Sequence, residues 1–175
     1  MKRLLVIGCP GAGKSTLCRQ VAALLHLEAI HLDSLYWRSG WVEAPQSQWM
    51  QDVAQALQGE SWVIDGNYLK TLPPRLAAAD TVIFLDLPRR TCLLRIVRRW
   101  LRYRSTTRPD MPAGCFEKLD WEFVKWVWDF PADQRPAILQ HLRQVSPAKR
   151  VITLRSQSEV DQFVRAHALT ERSPA

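Results

Sequence analysis

Gly8-Cys9-Pro10-Gly11-Ala12-Gly13-Lys14-Ser15-Thr16 satisfies the spacing G-x-x-x-x-G-K-[ST] at every fixed position. Glycines in such a loop let consecutive backbone N–H groups close around phosphate oxygens. In this pattern Gly8, Cys9, Pro10, Gly11, Ala12 and Gly13 form the cradle. Lys14 reaches the β- and γ-phosphates of a nucleotide, and the Ser15 hydroxyl serves Mg²⁺. Thr16 either supports the α-phosphate or caps and packs the helix that follows. The N-terminus of that helix adds a partial positive charge facing the anion.

The flanks supply the context the loop requires. Arg3-Leu4-Leu5-Val6-Ile7 is a short apolar run of the kind buried on both faces of a parallel sheet. Leu17, Val21, Leu24 and Leu25 then mark the inner face of a helix over 13–25. Four more strands are expected at 29–32, 62–65, 81–86 and 150–154, separated by helical segments at 45–58, 89–104, 116–130, 134–144 and 158–169. Pro45 suits the first position of its helix, Ser158-Glu159-Val160-Asp161 fits a capping box, and in 89–104 Leu93, Ile96, Val97, Trp100 and Leu101 are expected on the inner face with Arg95, Arg98, Arg99 and Arg102 on the other side. Strands alternating with helices imply an α/β fold of three layers, a five-stranded parallel sheet covered on both faces. Ligands then bind at the carboxyl ends of the strands, where Gly8, Asp33, Asp65 and Asp86 all fall. The 175 residues are read as a single domain over 1–175. Within it, 36–60 is an acceptor-side helical insertion and 89–130 an arginine-rich, small helical lid. The last six residues are expected to fray.

Composition narrows the class. The chain is 47% hydrophobic and 23% charged, with no apolar run of membrane-span length. Too few apolar residues precede the glycine loop for a signal peptide, so the expected setting is cytoplasmic. Cys9, Cys18, Cys92 and Cys115 form no C-x-x-C pair, so local spacing suggests neither a zinc nor a redox motif. The net charge of +7 is concentrated. Residues 89–108 hold eight arginines and no carboxylate, and taking these from the 24 lysines and arginines leaves 16 against 17 acids. A local guanidinium cluster suits phosphate capture; it also suits contact with nucleic acid.

The strand ends carry the other candidates. Asp65 is the favoured carboxylate to pair with Ser15 around magnesium, with Asp86 as its competitor and a plain turn role open to both. Asp33, in His31-Leu32-Asp33-Ser34-Leu35-Tyr36-Trp37, either orients an accepting hydroxyl or caps the next turn. His31 is read as structural. Trp37, Trp41 and Trp49 offer stacking surface for a flat acceptor, although core packing is the commoner role of tryptophan.

Gly11-Ala12-Gly13-Lys14-Ser15-Thr16, Val63-Ile64-Asp65-Gly66-Asn67 and Arg95-Ile96-Val97-Arg98-Arg99 together resemble the nucleoside monophosphate kinases. The resemblance implies a P-loop NTPase sheet of order 2-3-1-4-5, with Arg98 and Arg102 (or Arg99) swinging over the phosphates and Arg104 and Arg108 joining from the loop. Adenylate kinases carry an acceptor-clamping arginine after the third strand; this chain has Asn67-Tyr68-Leu69-Lys70 there, leaving Lys70 or Arg75 to substitute. Uridine kinases have a segment similar to Asp33-Ser34-Leu35-Tyr36, which implies Asp33 as the group taking the acceptor's proton. Over its whole length the chain resembles the bacterial adenylate-kinase-like DNA topology modulation proteins. The shared stretches are residues 6–16, 31–37, 62–68, 107–111 and 151–156. The resemblance also implies Ser156-Gln157, after the last strand, as the candidate adenine contact, and no N-K-x-D guanine motif is present.

The expectation is an ATP- and Mg²⁺-dependent phosphotransferase acting on a small acceptor, a nucleoside or nucleotide. Lys14, Asp33, Arg98 and Arg102 would do the chemistry, with Asp33, Tyr36, Trp37, Asn67, Lys70 and Arg75 on the acceptor side. The rival expectation is a nucleic-acid-binding NTPase, with DNA as a possible but less favoured partner. The sequence leaves monomer and dimer open and calls for no membrane.

Overall fold

Residues 1–170 are described by the computed structural model; of the six residues expected to fray, Thr170 is helical and 171–175 lie outside the described residues. Strand β1 (Arg3–Gly8) runs through the middle of the molecule, and its Leu4, Leu5, Val6 and Ile7 are fully buried. It is covered on both faces, so a continuous aliphatic run replaces the alternation of a half-exposed strand. Beside it lie β5 (Trp62–Asp65) and β6 (Thr81–Leu85), with β2 (Glu28–His31) outside β5 and β7 (Arg150–Leu154) outside β6. All five are parallel, in order β2-β5-β1-β6-β7. Counted among themselves that order is 2-3-1-4-5, as expected from the sequence.

Helix α1 (Lys14–Leu25) packs Leu17, Cys18, Val21 and Ala22 onto the sheet. After β2 the chain forms α2 (Leu32–Tyr36), then a small antiparallel hairpin of β3 (Trp37–Arg38) and β4 (Val42–Glu43), which turns through positive φ at Gly40 and Trp41. Helix α3 (Gln46–Ala56) follows Pro45, and α4 (Leu72–Ala78) follows a 3₁₀ turn at Leu69–Thr71. Next come α5 (Arg89–Tyr103), α6 (Trp121–Asp133), α7 (Arg135–Arg143) and, after β7, α8 (Gln157–Thr170).

Three local expectations need correction. Helix α6 begins at Trp121 and not at 116, because the Asp120 carboxylate accepts the Phe123 N–H at 2.7 Å and caps it there. Phe116 instead bridges to Thr107. The capping box of α8 lies two residues earlier than the spacing suggested. Ser156 Oγ accepts the Glu159 N–H at 3.2 Å, and the Glu159 carboxylate accepts the Arg155 N–H at 2.8 Å. On α5 the buried residues are Cys92 and Ile96, whereas Val97 and Leu101, expected inside, are exposed together with Leu94.

The end of α4 illustrates how an orphan carbonyl set is satisfied. Lys149 Nζ donates to the carbonyls of Leu76 and Ala79, each at 2.9 Å, and to that of Ala77. One ammonium thereby caps three of the groups that a helix C-terminus leaves open. Lys149→Met is expected to cost about 1–3 kcal/mol, read as a shift of the urea midpoint at unchanged m-value. Among the described residues no helix is long and apolar enough to cross a membrane.

Candidate active site

Strand β1 stops at Gly8 because any side chain there would strike Leu85: a Cβ would lie 2.5 Å from the Leu85 carbonyl oxygen. Gly11, at φ 79°, passes so close to the Cys92 carbonyl that a Cβ would collide with it. These two approaches hold the loop against β6 and α5 and leave its backbone free to face outward. Lys14 Nζ rests on the Cys9 carbonyl at 3.3 Å, and the Gly13 carbonyl accepts the Leu17 N–H at 2.9 Å. Arg95 braces the loop from α5. Its guanidinium donates to the Ala12 carbonyl at 3.1 Å and to Gln157 Oε1 at 2.6 Å.

The loop forms one wall of a cleft of about 1280 Å³ at the carboxyl edge of the sheet. Residues Pro10 to Thr16, Asp33, Tyr36, Trp37, Asn67 and Lys70 all line it, together with Arg98 and Arg102. Gly8, Cys9, Asp65, Arg75 and Ser156 do not line it.

Asp65 and Ser15 meet just beneath the loop. Ser15 Oγ donates to Asp65 Oδ2 at 2.7 Å, and the other carboxylate oxygen, Oδ1, faces His31 Nδ1 at 2.6 Å. Burial disfavours the imidazolium, but the hydrogen bond and charge of Asp65 outweigh it and hold the His31 pKa above its ordinary 6.5. His31, read from the sequence as structural, is thereby held by the carboxylate that also accepts from Ser15. The competitor Asp86 is occupied elsewhere: both of its oxygens accept from Arg135 at 2.7 Å, which fastens α7 to the end of β6.

Asp33, also on the cleft lining, sits in the first turn of α2, where Tyr68 donates its phenol proton to Oδ1 at 2.7 Å. Burial and the adjacent Asp33 charge push the Tyr68 pKa up, so the phenol remains a donor. Around this pair the rings of Tyr36, Trp49 and Tyr68 lie 4.8–5.2 Å apart by centroid. Trp37 extends the cluster from Tyr36 at 5.0 Å to Trp41 at 5.3 Å. Trp37, Trp41 and Trp49 all line the cleft; Trp49 is buried and packs into the core as well, while Trp37 and Trp41 are half-buried. The side-chain amide of Asn67 is buried with neither its nitrogen nor its oxygen hydrogen-bonded, although the residue lines the cleft. Such an amide is a rarity in native proteins and points to a missing partner.

Arg75 is directed inward. It is fully buried and donates to the carbonyls of Gly66 (2.9 Å), Tyr68 and Thr71 (3.1 Å) and to Thr71 Oγ1 (3.1 Å). It shapes the 66–71 loop and does not face the cleft, leaving Lys70 as the cation of that loop that does. Arg75→Met strands four acceptors in the interior and is expected to cost about 3–5 kcal/mol. Denaturant unfolding monitored by circular dichroism would measure it. Ser156, spent on capping α8, likewise leaves the cleft to its neighbour Gln157.

The arginines of α5 and the following loop divide into two groups. Arg99 Nε bonds Glu117 Oε2 at 3.0 Å, Arg108 pairs with both Glu117 and Asp110, and Asp110 reaches Arg19 on α1 at 3.4 Å. Glu117 and Asp110 are each about 5% exposed, so this is a buried chain of alternating charge. The Asp110 pKa is lowered: burial works against ionisation, but the Arg108 charge and local hydrogen bonds prevail. Arg89 stacks on Trp128 at 3.9 Å. Arg98, Arg99, Arg102 and Arg108 all line the cleft, and of these Arg98 and Arg102 have no carboxylate within ion-pair distance among the described residues. Sequence reasoning missed Tyr68, Asp110 and Glu117; Gln157, named with Ser156 on the adenine side, does line the cleft. The presence of Asp110 in the Thr107–Met111 stretch was the available signal.

No protein-family model matches the chain. Among solved structures, it is similar over 97% of its length to a shikimate kinase from Bacteroides thetaiotaomicron, covering 98% of that chain at 16% identity and a TM-score of 0.58. A shikimate kinase from Acinetobacter baumannii, in complex with shikimate, matches over 99% of this chain and 96% of its own at 16% identity, TM-score 0.55. A gluconokinase from Sinorhizobium meliloti 1021 matches over 96% and 90% at 13% identity, TM-score 0.51. Identities this low speak for the fold alone. That fold, with its complete phosphate-binding loop, is the P-loop kinase fold.

Proposed function

We propose that the protein is an ATP- and Mg²⁺-dependent phosphotransferase that moves the γ-phosphate to a small acceptor, a nucleoside or nucleotide. The observation that carries the reading is the cleft itself, which Lys14, Ser15 and Asp33 line together. Asn67, with its unpaired amide, and the ring cluster beside Asp33 suit a flat, hydrogen-bonding acceptor. The stretches shared with the DNA topology modulation proteins support membership of that family and a cytoplasmic setting.

The residues fit magnesium: a hydroxyl and a carboxylate stand 2.7 Å apart at the start of α1, a hard oxygen donor set that a Mg²⁺ ion and its waters prefer. Ser15 would ligate the ion and Asp65 one of its waters; bound there, it neutralises charge on the β- and γ-phosphate oxygens. The loop amides and Lys14 hold the triphosphate. Asp33 orients the acceptor hydroxyl and takes its proton as the oxygen attacks phosphorus and the bond to the ADP oxygen breaks. Arg98 and Arg102 neutralise charge on the transferring group, and residues 89–130 act as the lid that excludes water. A nucleic-acid-binding NTPase is disfavoured because Arg99 and Arg108 are spent on internal carboxylates and Arg98 and Arg102 face the cleft.

The test is ADP release across a panel of nucleosides and nucleotides. The expected result is release that depends on one acceptor class and falls about 10²–10³-fold in Lys14→Met. Acceptor-independent hydrolysis with every compound, together with DNA binding that weakens steeply with salt, would replace this reading with the rival one.

A further inference from the structure

The cysteine spacing suggests no zinc motif, yet the fold gathers a candidate ligand set from distant residues. Cys18, His31 and Asp65 bring their ligating atoms within 4.8 Å of one another, and among the described residues no other trio of His, Cys, Asp or Glu does so. Three rigid elements hold them. His31 and Asp65 are register partners at the ends of β2 and β5, and Cys18 lies on the face of α1 packed over β5. The Cys18 thiol donates to the Val63 carbonyl at 3.3 Å, and the Ile30 backbone also hydrogen-bonds its sulfur. Tetrahedral coordination by sulfur, nitrogen and oxygen sets donors roughly 3.3–3.5 Å apart, so small side-chain shifts suffice.

We propose that Cys18, His31 and Asp65 form a site for a thiophilic divalent d-block cation of the Zn²⁺ kind, beneath the phosphate-binding loop. A mixed sulfur, nitrogen and oxygen set selects such a cation over Mg²⁺, which takes oxygen alone. Charge closes around it: one thiolate and one carboxylate balance the dication, with a neutral imidazole as third ligand. The cation replaces the Cys18 thiol proton and the proton held between His31 and Asp65, and both leave to water. The fourth position falls to water or to Ser15, whose hydroxyl already touches Asp65. If the proposed phosphotransfer also holds, this cation competes for Asp65 and inhibits; the site itself does not depend on that reading.

Co²⁺ titration of the reduced, metal-free full chain tests it by spectroscopy. The wild type should develop visible ligand-field bands and a thiolate-to-cobalt charge-transfer band, both bleached by Zn²⁺. Cys18→Ser should lose the charge-transfer band and at least about tenfold in affinity, with Cys9, Cys92 and Cys115 still present. His31→Asn, which keeps the thiol, should weaken binding comparably and decides the matter if Cys18→Ser does not fold. No charge-transfer band in the wild type, or an undiminished band in Cys18→Ser, overturns the site. The result stands whether or not any acceptor is phosphorylated.

Discussion

Asp33→Asn is expected to lower kcat by about 10²–10⁴-fold while leaving the KM for ATP within a few-fold of wild type. The asymmetry follows from position. Asp33 belongs to α2, lines the cleft together with the loop that would bind the triphosphate, and makes no hydrogen bond to that loop. Tyr68 occupies one carboxylate oxygen at 2.7 Å, which fixes the side chain and leaves the second oxygen to receive a proton. Asparagine preserves the shape and an acceptor for the Tyr68 phenol, so the fold should hold; what disappears is the basic oxygen. Steady-state kinetics with the best acceptor measures the split. If kcat stays within tenfold of wild type, Asp33 caps its turn and accepts the Tyr68 bond, and the proton acceptor lies elsewhere. Tyr68→Phe is the companion variant, expected to cost about 0.5–1.5 kcal/mol of stability and to loosen Asp33 without removing it.

The contrast between Asp33 and its surroundings shows what a sequence carries. Strands β1, β5 and β6 were legible because each holds an uninterrupted apolar run that closes at Gly8, at Asp65 or just before Asp86; β2 and β7 carry only the shorter pairs Ala29-Ile30 and Val151-Ile152, and the phosphate loop was legible because its glycines answer to backbone sterics. The hairpin β3–β4 was not, since two-residue strands have no periodicity to detect and depend on the turn at Gly40 and Trp41. Arg75 looked like a free cation because nothing local announces that three carbonyls 4–9 residues upstream converge on it. The face of α5 was misread for a related reason. Its apolar residues cover more of the helix than the core can bury, and the choice went to Cys92 and Ile96 because Gly11 must lie against the backbone of Cys92. Ion pairs across loops are equally invisible, so Glu117 and Asp110 stayed hidden until the fold delivered them to Arg99 and Arg108.

That last pairing turns an undifferentiated run of eight arginines into a sharp kinetic prediction. Arg98 and Arg102 stand one helical turn apart on α5 and line the cleft without a carboxylate partner among the described residues. Like charges at this spacing repel by a few tenths of a kcal/mol, so an anion between them is stabilising. Arg98→Ala combined with Arg102→Ala should therefore cost about 10³–10⁵-fold in kcat, the range for arginines that neutralise a transferring phosphoryl group. Stability should move by no more than about 0.5 kcal/mol, as for exposed positions. Arg99→Ala and Arg108→Ala should show the reverse weighting. Each leaves Glu117, a buried carboxylate, short of a counter-charge, and the expected loss is about 3–5 kcal/mol of stability. Kinetics and denaturant unfolding on the same four variants separate the groups. Full activity in the Arg98/Arg102 double variant, with activity lost instead in an Arg108 variant that remains folded, would mean that the phosphate-facing arginines come from the loop, and that the buried ion chain opens when nucleotide binds.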